Sequence, residues 1–278
     1  MSWMRWGLAL LCVALTGCGV ERDVARGNDA LEARDWARSE AAFRRALDRD
    51  PLHLEALYGL GWAYYQAGQA VEAQVAFERC IEAHPQSHLG FKGLGSVALR
   101  QGNGLAAERW LKQALALAPG DVPVTNTLAL TYSEMARLDE ALELFEQLAG
   151  ATKDYPEIGI GHVEALLRAK RLEEAQTLIE SQLKRSLTPS HEGVYRLTYA
   201  RTLLQRTVRR LDASRCADTA PPVIAWLDRA IKEVDRAGTL VNDPERVASV
   251  RRTVARRRAI VLETCPDGQL ETAKSPMP

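Results

Sequence analysis

This 278-residue sequence carries no excess charge of either sign: Lys plus Arg and Asp plus Glu stand at 36 each. That balance excludes a uniform field drawing the chain to nucleic acid or to an anionic membrane surface, so charge effects must be local. Histidine and cysteine are scarce, five of each and scattered, which leaves little material for a metal centre or an acid–base cluster. Glycine and proline are too few to signal a disordered chain, and only the short polar stretch Gln269 to Pro278 lacks the means to fold. No apolar run reaches the roughly 18 to 20 residues that span a bilayer as a helix. What is present is 46% hydrophobic residues, enough to bury a continuous core.

The longest apolar run, Trp6 to Leu15, follows the single positive charge of Arg5 and has the length of an export signal. It ends in Leu15-Thr16-Gly17-Cys18, which resembles the lipobox of bacterial lipoproteins. The resemblance implies cleavage before Cys18, a diacylglycerol on its thiol and acylation of its new amino group with palmitate-type chains. Each buried methylene contributes about 0.8 kcal/mol, so several chains on one residue give stable anchoring. By the retention rule of enterobacterial lipoproteins, Gly19 after the acylated cysteine implies onward export to the outer membrane, facing the periplasm.

Small residues at Gly27, Gly61, Gly95, Ala129 and Val163 stand 34 residues apart. Ser39, Ala73, Ala107, Ala141 and Ala175 keep the same phase, as do Phe43, Phe77, Leu111, Phe145 and Ile179. Prolines at Pro51, Pro85 and Pro119 mark the repeat ends. The pattern resembles the tetratricopeptide repeat, in which each unit is a hairpin of helices A and B. Small residues let the helices approach closely, the large apolar residue of helix B fills the space between units, and proline ends helix B. The resemblance implies an all-α fold, a right-handed α-solenoid of helical hairpins with a C-terminal capping helix. The domain organisation is then a signal peptide over 1–17, five units over 18–188, a degenerate sixth unit plus cap over 189–264, and a mostly disordered tail over 265–278.

In the sixth unit, Leu197-Thr198-Tyr199-Ala200 resembles Leu60-Gly61-Trp62-Ala63 and predicts a helix A over His191 to Arg210. Asp212 to Pro222, with Cys216 and two adjacent prolines, reads as a long turn before a helix B over Val223 to Ala237. Asn242-Asp243-Pro244-Glu245 is a helix start, opening a last helix whose Val247, Val250, Val254 and Val261 form an apolar stripe. Such a terminal element covers the last apolar face. With Cys12 cleaved away, Cys18 acylated and Cys80 in a helix B core, Cys216 and Cys265 remain. The antiparallel run of the last two helices brings them toward one end, so an oxidising periplasm is expected to join them.

No catalytic set emerges, and the sequence is read as that of a non-enzyme without cofactor, metal or small-molecule substrate. His84 and His88 are four apart but separated by Pro85, so they cannot share a helical face as a metal pair would. Gly90, Gly93 and Gly95 lack the lysine of a phosphate loop. Ser181-Gln182-Leu183-Lys184 has the spelling of a serine acylase motif without its partner motifs. Arg251, Arg252, Arg256, Arg257 and Arg258 fit a solvated face of the capping helix better than a lipid or acidic-partner site.

In this repeat family the concave surface is lined by helix A residues that do not pack on helix B. On this phase the second unit presents Tyr58, Trp62 and Tyr65, the third Lys92, Ser96 and Leu99, the fourth Asn126, Leu130 and Ser133, and Tyr195 and Tyr199 continue the set. Exposed rings beside short hydrogen-bonding side chains suit a peptide groove. The same rings equally fit a role in covering repeat junctions. The resemblance extends in architecture to pilotin and assembly lipoproteins of type IV pili, which serve secretin assembly, and to adaptors of peptidoglycan hydrolases. The expectation is a membrane-anchored scaffold that binds a protein partner in the cell envelope and no nucleic acid. An enzyme with a site in the irregular region Asp212 to Pro278 is the rival, and no triad or metal spacing there supports it.

Overall fold

The computed structural model describes residues 19–208 and 216–265, which are helical with no strand among them. Residues 19–32 form α1. The others are α2 (Trp36–Arg49), α3 (Leu54–Gln66), α4 (Ala70–Ala83), α5 (His88–Arg100), α6 (Gly104–Leu117), α7 (Val122–Glu134), α8 (Leu138–Gln147), α9 (Pro156–Arg168), α10 (Leu172–Leu183), α11 (Pro189–Val208), α12 (Cys216–Ala237) and α13 (Pro244–Thr264). A 3-10 turn, Ala149–Lys153, separates α8 from α9. The chain divides into two compact units between Arg137 and Leu138, so α1 to α7 make the first and α8 to α13 the second. The signal segment, Cys18 and the residues beyond Cys265 lie outside the described residues.

The core of each hairpin follows the 34-residue phase. Ser39, Ala73, Ala107, Ala141 and Ala175 are fully buried, as are Phe43, Phe77, Leu111, Phe145 and Ile179. In the first unit each large helix B side chain fills space that glycine leaves open. A Cβ on Gly27 or Gly59 would stand 2.6 or 2.3 Å from the Phe43 ring, and one on Gly61 or Gly93 2.4 or 2.3 Å from the Phe77 ring. Phe43 thus sits between a glycine of its own repeat and one of the next, and Phe77 does the same one repeat on. Ser39 stands where the other repeats carry alanine, and its buried hydroxyl donates to the Gly27 carbonyl at 3.0 Å.

The A-to-B turns of the first five hairpins are closed in the same way. Arg34, Gly68, Gly102, Ala136 and Lys170, 34 residues apart, all have positive φ, between 57 and 80°. The following amide donates back across six residues: Asp35 to Ala30, Gln69 to Tyr64, Asn103 to Ala98, Arg137 to Tyr132 and Arg171 to Leu166, each at 2.9 Å. With the accompanying shorter bond from each left-handed residue, this is the Schellman ending, which satisfies the last carbonyls of helix A. Helix B then starts on a side-chain cap at Asp35, whose carboxylate accepts from the Arg38 amide, and at Asn103, which accepts from the Ala106 amide.

The second unit departs from the expected sixth hairpin at one point. Helix α12 begins at Cys216, so Pro221 and Pro222 lie inside it and do not end a turn. Standing sixth and seventh in the helix, they forgo the backbone bonds to the carbonyls of residues 217 and 218, a loss confined to the N-terminal end of α12. Asp243 caps α13 by accepting from the Arg246 amide at 2.9 Å, with Pro244 in the first turn. Val254 and Val261 are buried, while Val247 and Val250 are half-buried. Cys265 is no part of a loose tail: it is buried, caps the helix through its amide to Val261 and is disulfide-bonded. The side chain of Cys216 lies outside the described residues. Cys80 is free and buried, and burial pushes its thiol up to about 11.

Two substitutions test these constraints by urea unfolding followed by circular dichroism. Gly59→Ala puts a methyl into the Phe43 ring and is expected to lower stability by about 1 to 3 kcal/mol. Ala136→Gly removes the cost of a left-handed Cβ and is expected to raise stability by about 0.5 to 1 kcal/mol, after the glycine's own entropy is subtracted.

Candidate partner-binding face

The helix A face of the first unit gathers most of the residues singled out from the sequence, because α3, α5 and α7 each present the same side of a repeat. Tyr58, Trp62 and Tyr65 are half-buried on α3 and pack against the apolar core of the first unit. Their rings meet edge to face, Tyr58 to Trp62 at 6.0 Å and Trp62 to Tyr65 at 4.9 Å between centroids. Phe77 lies 5.9 Å from Tyr58 and 6.1 Å from Trp62. The rings therefore cover the repeat junction and present their outer edges at once. Arg100 stacks over Tyr65 at 3.3 Å and donates to the Tyr65 carbonyl, tying α5 to the end of α3.

Next to these rings lies a polar group that the sequence pattern only partly disclosed. Lys92 on α5 is half-buried, and desolvation lowers its pKa from the usual lysine value, with Asp121 opposing that shift. Asp121 caps α7 through the Val124 amide at 2.8 Å and meets His88 Nε2 at 3.1 Å. Burial pushes the Tyr58 hydroxyl up to about 12, while the Trp62 indole works in the other direction. Asn126 on α7 has its side-chain oxygen buried without a hydrogen-bond partner among the described residues, an unsatisfied acceptor next to this face. Leu99 and Leu130 are half-buried beside this group. His88 and Asp121 were not identified from the sequence as parts of the face; both occupy turn and cap positions, where the helical phase carries no signal.

Four of the residues read as groove-lining are buried. Ser96 and Ser133 are 6% and 5% exposed. Ser96 spends its hydroxyl on the Lys92 carbonyl at 3.0 Å. Tyr195 and Tyr199 are each 1% exposed and belong to the core of the second unit. The Tyr195 hydroxyl donates to the Pro156 carbonyl at 3.0 Å, and that of Tyr199 bonds the Glu180 carboxylate beneath Arg229, whose guanidinium lies 4.9 Å from the ring. The tyrosines turn inward onto the preceding hairpin, Tyr195 against Pro156 and Gly159 of α9 and Tyr199 against Gln176 and Glu180 of α10, with Arg229 of α12 closing over Tyr199.

The arginines of α13 are largely committed. Arg251 pairs with Asp235 at 2.9 Å and Arg258 with Asp228 at 2.7 Å, both on α12, and Arg257 donates to the Thr207 carbonyl of α11 at 3.4 Å. Arg252 and Arg256 are exposed. Among the described residues no three His, Cys, Asp or Glu side chains are grouped to hold a metal, and no helix is long and apolar enough to cross a membrane.

The state of Lys92 yields a signed expectation. Its folded pKa is depressed, so near neutral pH the folded chain carries the cost of a desolvated charge, and stability from this group rises as pH climbs toward the usual lysine value. Lys92→Met is expected to melt at or above the wild-type temperature near pH 7, with the difference closing by pH 10, while partner binding through this face falls.

The tetratricopeptide repeat profiles match residues 24–88 and 72–122, and again 98–158 and 134–187. A relative, cellulose synthase operon protein C of Xanthomonas axonopodis pv. citri, is 28% identical over 232 residues, 80% of this chain, and the chain spans 15% of its length. Among solved structures, PilF of Pseudomonas aeruginosa superposes with a TM-score of 0.62 at 14% identity, over 85% of this chain and 98% of that one. PilW, a widely conserved type IV pilus biogenesis factor, gives 0.64 at 13% identity, over 83% and 97%. The matched residues run nearly unbroken through the helical hairpins described above, and the chain belongs to the tetratricopeptide repeat family.

Proposed function

We propose that the chain is a lipid-anchored scaffold of the cell envelope that binds a protein partner through the helix A face of its first unit, in pilus or secretin assembly. The observation that carries the binding role is the half-buried arrangement of Tyr58, Trp62, Tyr65, Lys92 and Asn126, which combines fixed rings, a desolvated ammonium and an unpaired buried acceptor. A fold that only stacked helices gains nothing from the last two, since each costs stability until a ligand compensates it. The coverage of PilF and PilW over nearly their full length is what supports the choice of process.

Anchoring rests on the Leu15 to Cys18 box, and outer-membrane residence facing the periplasm on Gly19. An oxidising compartment accords with the disulfide at Cys265, for which Cys216 is the proposed partner. Closing a loop of about 50 residues restrains the unfolded chain by roughly 4 kcal/mol in the entropic account.

Cys18→Ala is expected to leave the protein unprocessed or free of the membrane on fractionation, with the fold unchanged by circular dichroism. A variant that sediments and migrates like the wild type removes the anchor from this reading. The partner is sought by cross-linking in envelopes and mass spectrometry; recovery of secretin or pilus components by the wild type, reduced for Lys92→Met, is the expected outcome.

A further inference from the structure

Beside the face just described, the first unit holds a second feature that the scaffold reading does not use. A cavity of about 410 Å³ opens where the α1–α2 turn meets the end of α3. It is lined by Leu31, Glu32, Arg34, Trp36, Trp62 and Gln66. Trp62 is held on its other sides by Tyr58, Tyr65 and Phe77, so its edge of the cavity is rigid. Trp36, the first residue of α2, is half-buried and has no ring contact, cation or hydrogen bond among the described residues.

That vacancy stands out against the rest of the chain. Guanidiniums lie over Tyr64, Tyr65, Trp110, Tyr132, Trp226 and Tyr199, between 3.3 and 6.0 Å from the ring centroids. The two indoles of the cavity have none among the described residues, although Arg34 is on the same rim. Glu32, an exposed carboxylate, joins in no ion pair among the described residues. Ring faces attract cations, best of all those of tryptophan, and a nearby free carboxylate strengthens the preference. An anionic guest would meet two electron-rich indoles as well as Glu32, with Arg34 alone to favour it.

We infer that the Trp36–Trp62 cavity is a cage for a cationic side chain, arginine or lysine, presented by an extended segment of the protein partner, with Glu32 as its counter-charge. The inference rests on the scaffold reading and adds to it the chemistry of one recognised residue. Arg34, also lining the cavity, then favours an acidic residue next to the basic one in that segment.

The test titrates the full chain with three blocked tripeptides, Gly-X-Gly, in which X is arginine, its neutral isostere citrulline, or norleucine, and follows the indole N–H resonances. The arginine peptide is expected to shift the Trp36 and Trp62 signals and to bind about tenfold more tightly than citrulline. Glu32→Gln is expected to weaken the arginine peptide several-fold, and Trp36→Ala to abolish its effect on Trp62 while the far-ultraviolet circular dichroism stays unchanged. Equal binding of citrulline or norleucine, or indoles that do not move, overturns the cage. The titration needs no partner, so its failure leaves the scaffold reading in place, whereas an intact titration without capture of any envelope component removes that reading and leaves the cage.

Discussion

The repeats of the first unit depend on one steric arrangement, the clamping of a large helix B side chain between two glycines of successive A helices. Phe43 lies against Gly27 and Gly59, and Phe77 against Gly61 and Gly93, at separations where any Cβ would collide with the ring. The ring can therefore reach the backbone of both neighbours, and dispersion over its full surface ties one hairpin to the next. Because each clamp uses a residue of the following repeat, no hairpin buries its face alone, and the stack gains stability by nearest-neighbour contacts. The small residues at the A–B contact, from Ser39 to Ala175, follow from the same need for close approach.

The turns serve the clamp. A left-handed residue every 34 positions reverses the chain within two residues and returns helix B at the spacing the ring requires. Glycine occupies only two of the five positions, and Arg34, Ala136 and Lys170 adopt the same geometry at a local cost. That they do so shows the packing of the hairpin overriding the preference of the turn residue.

The proposed binding role falls where this regularity leaves groups unsatisfied. A repeat that only packed would bury no desolvated ammonium and no unpaired amide oxygen, yet Lys92 and Asn126 supply both on neighbouring A helices. The ring cluster of α3 has two roles at once: its inner edges seal the junction against Phe77, and Trp62 also walls the cavity that it shares with Trp36. The second unit spends its tyrosines differently. Tyr195 and Tyr199 are locked inward by Pro156 and Glu180, so the two units, alike in helical plan, do not offer the same surface.

The sequence by itself determined the repeat, its phase and its core, because close packing of helices demands small and large residues at fixed spacing, and that demand is written at Gly61, Ala73 and Phe77 whatever surrounds them. It also marked α13 through Asp243 and Pro244, since a cap is a local interaction. It did not reveal that α12 runs through Pro221 and Pro222, because proline's cost depends on how many helical bonds precede it. Nor could it tell which A-helix rings face outward: Tyr58 and Tyr195 occupy comparable places in the pattern, yet one edges a surface and the other is buried against Pro156 and Gly159 of α9. The sharing of one cavity by Trp36 and Trp62, and the meeting of His88 with Asp121, were likewise decided only by tertiary structure, because they join residues of different repeats near turns and helix ends, where periodicity carries no information about direction.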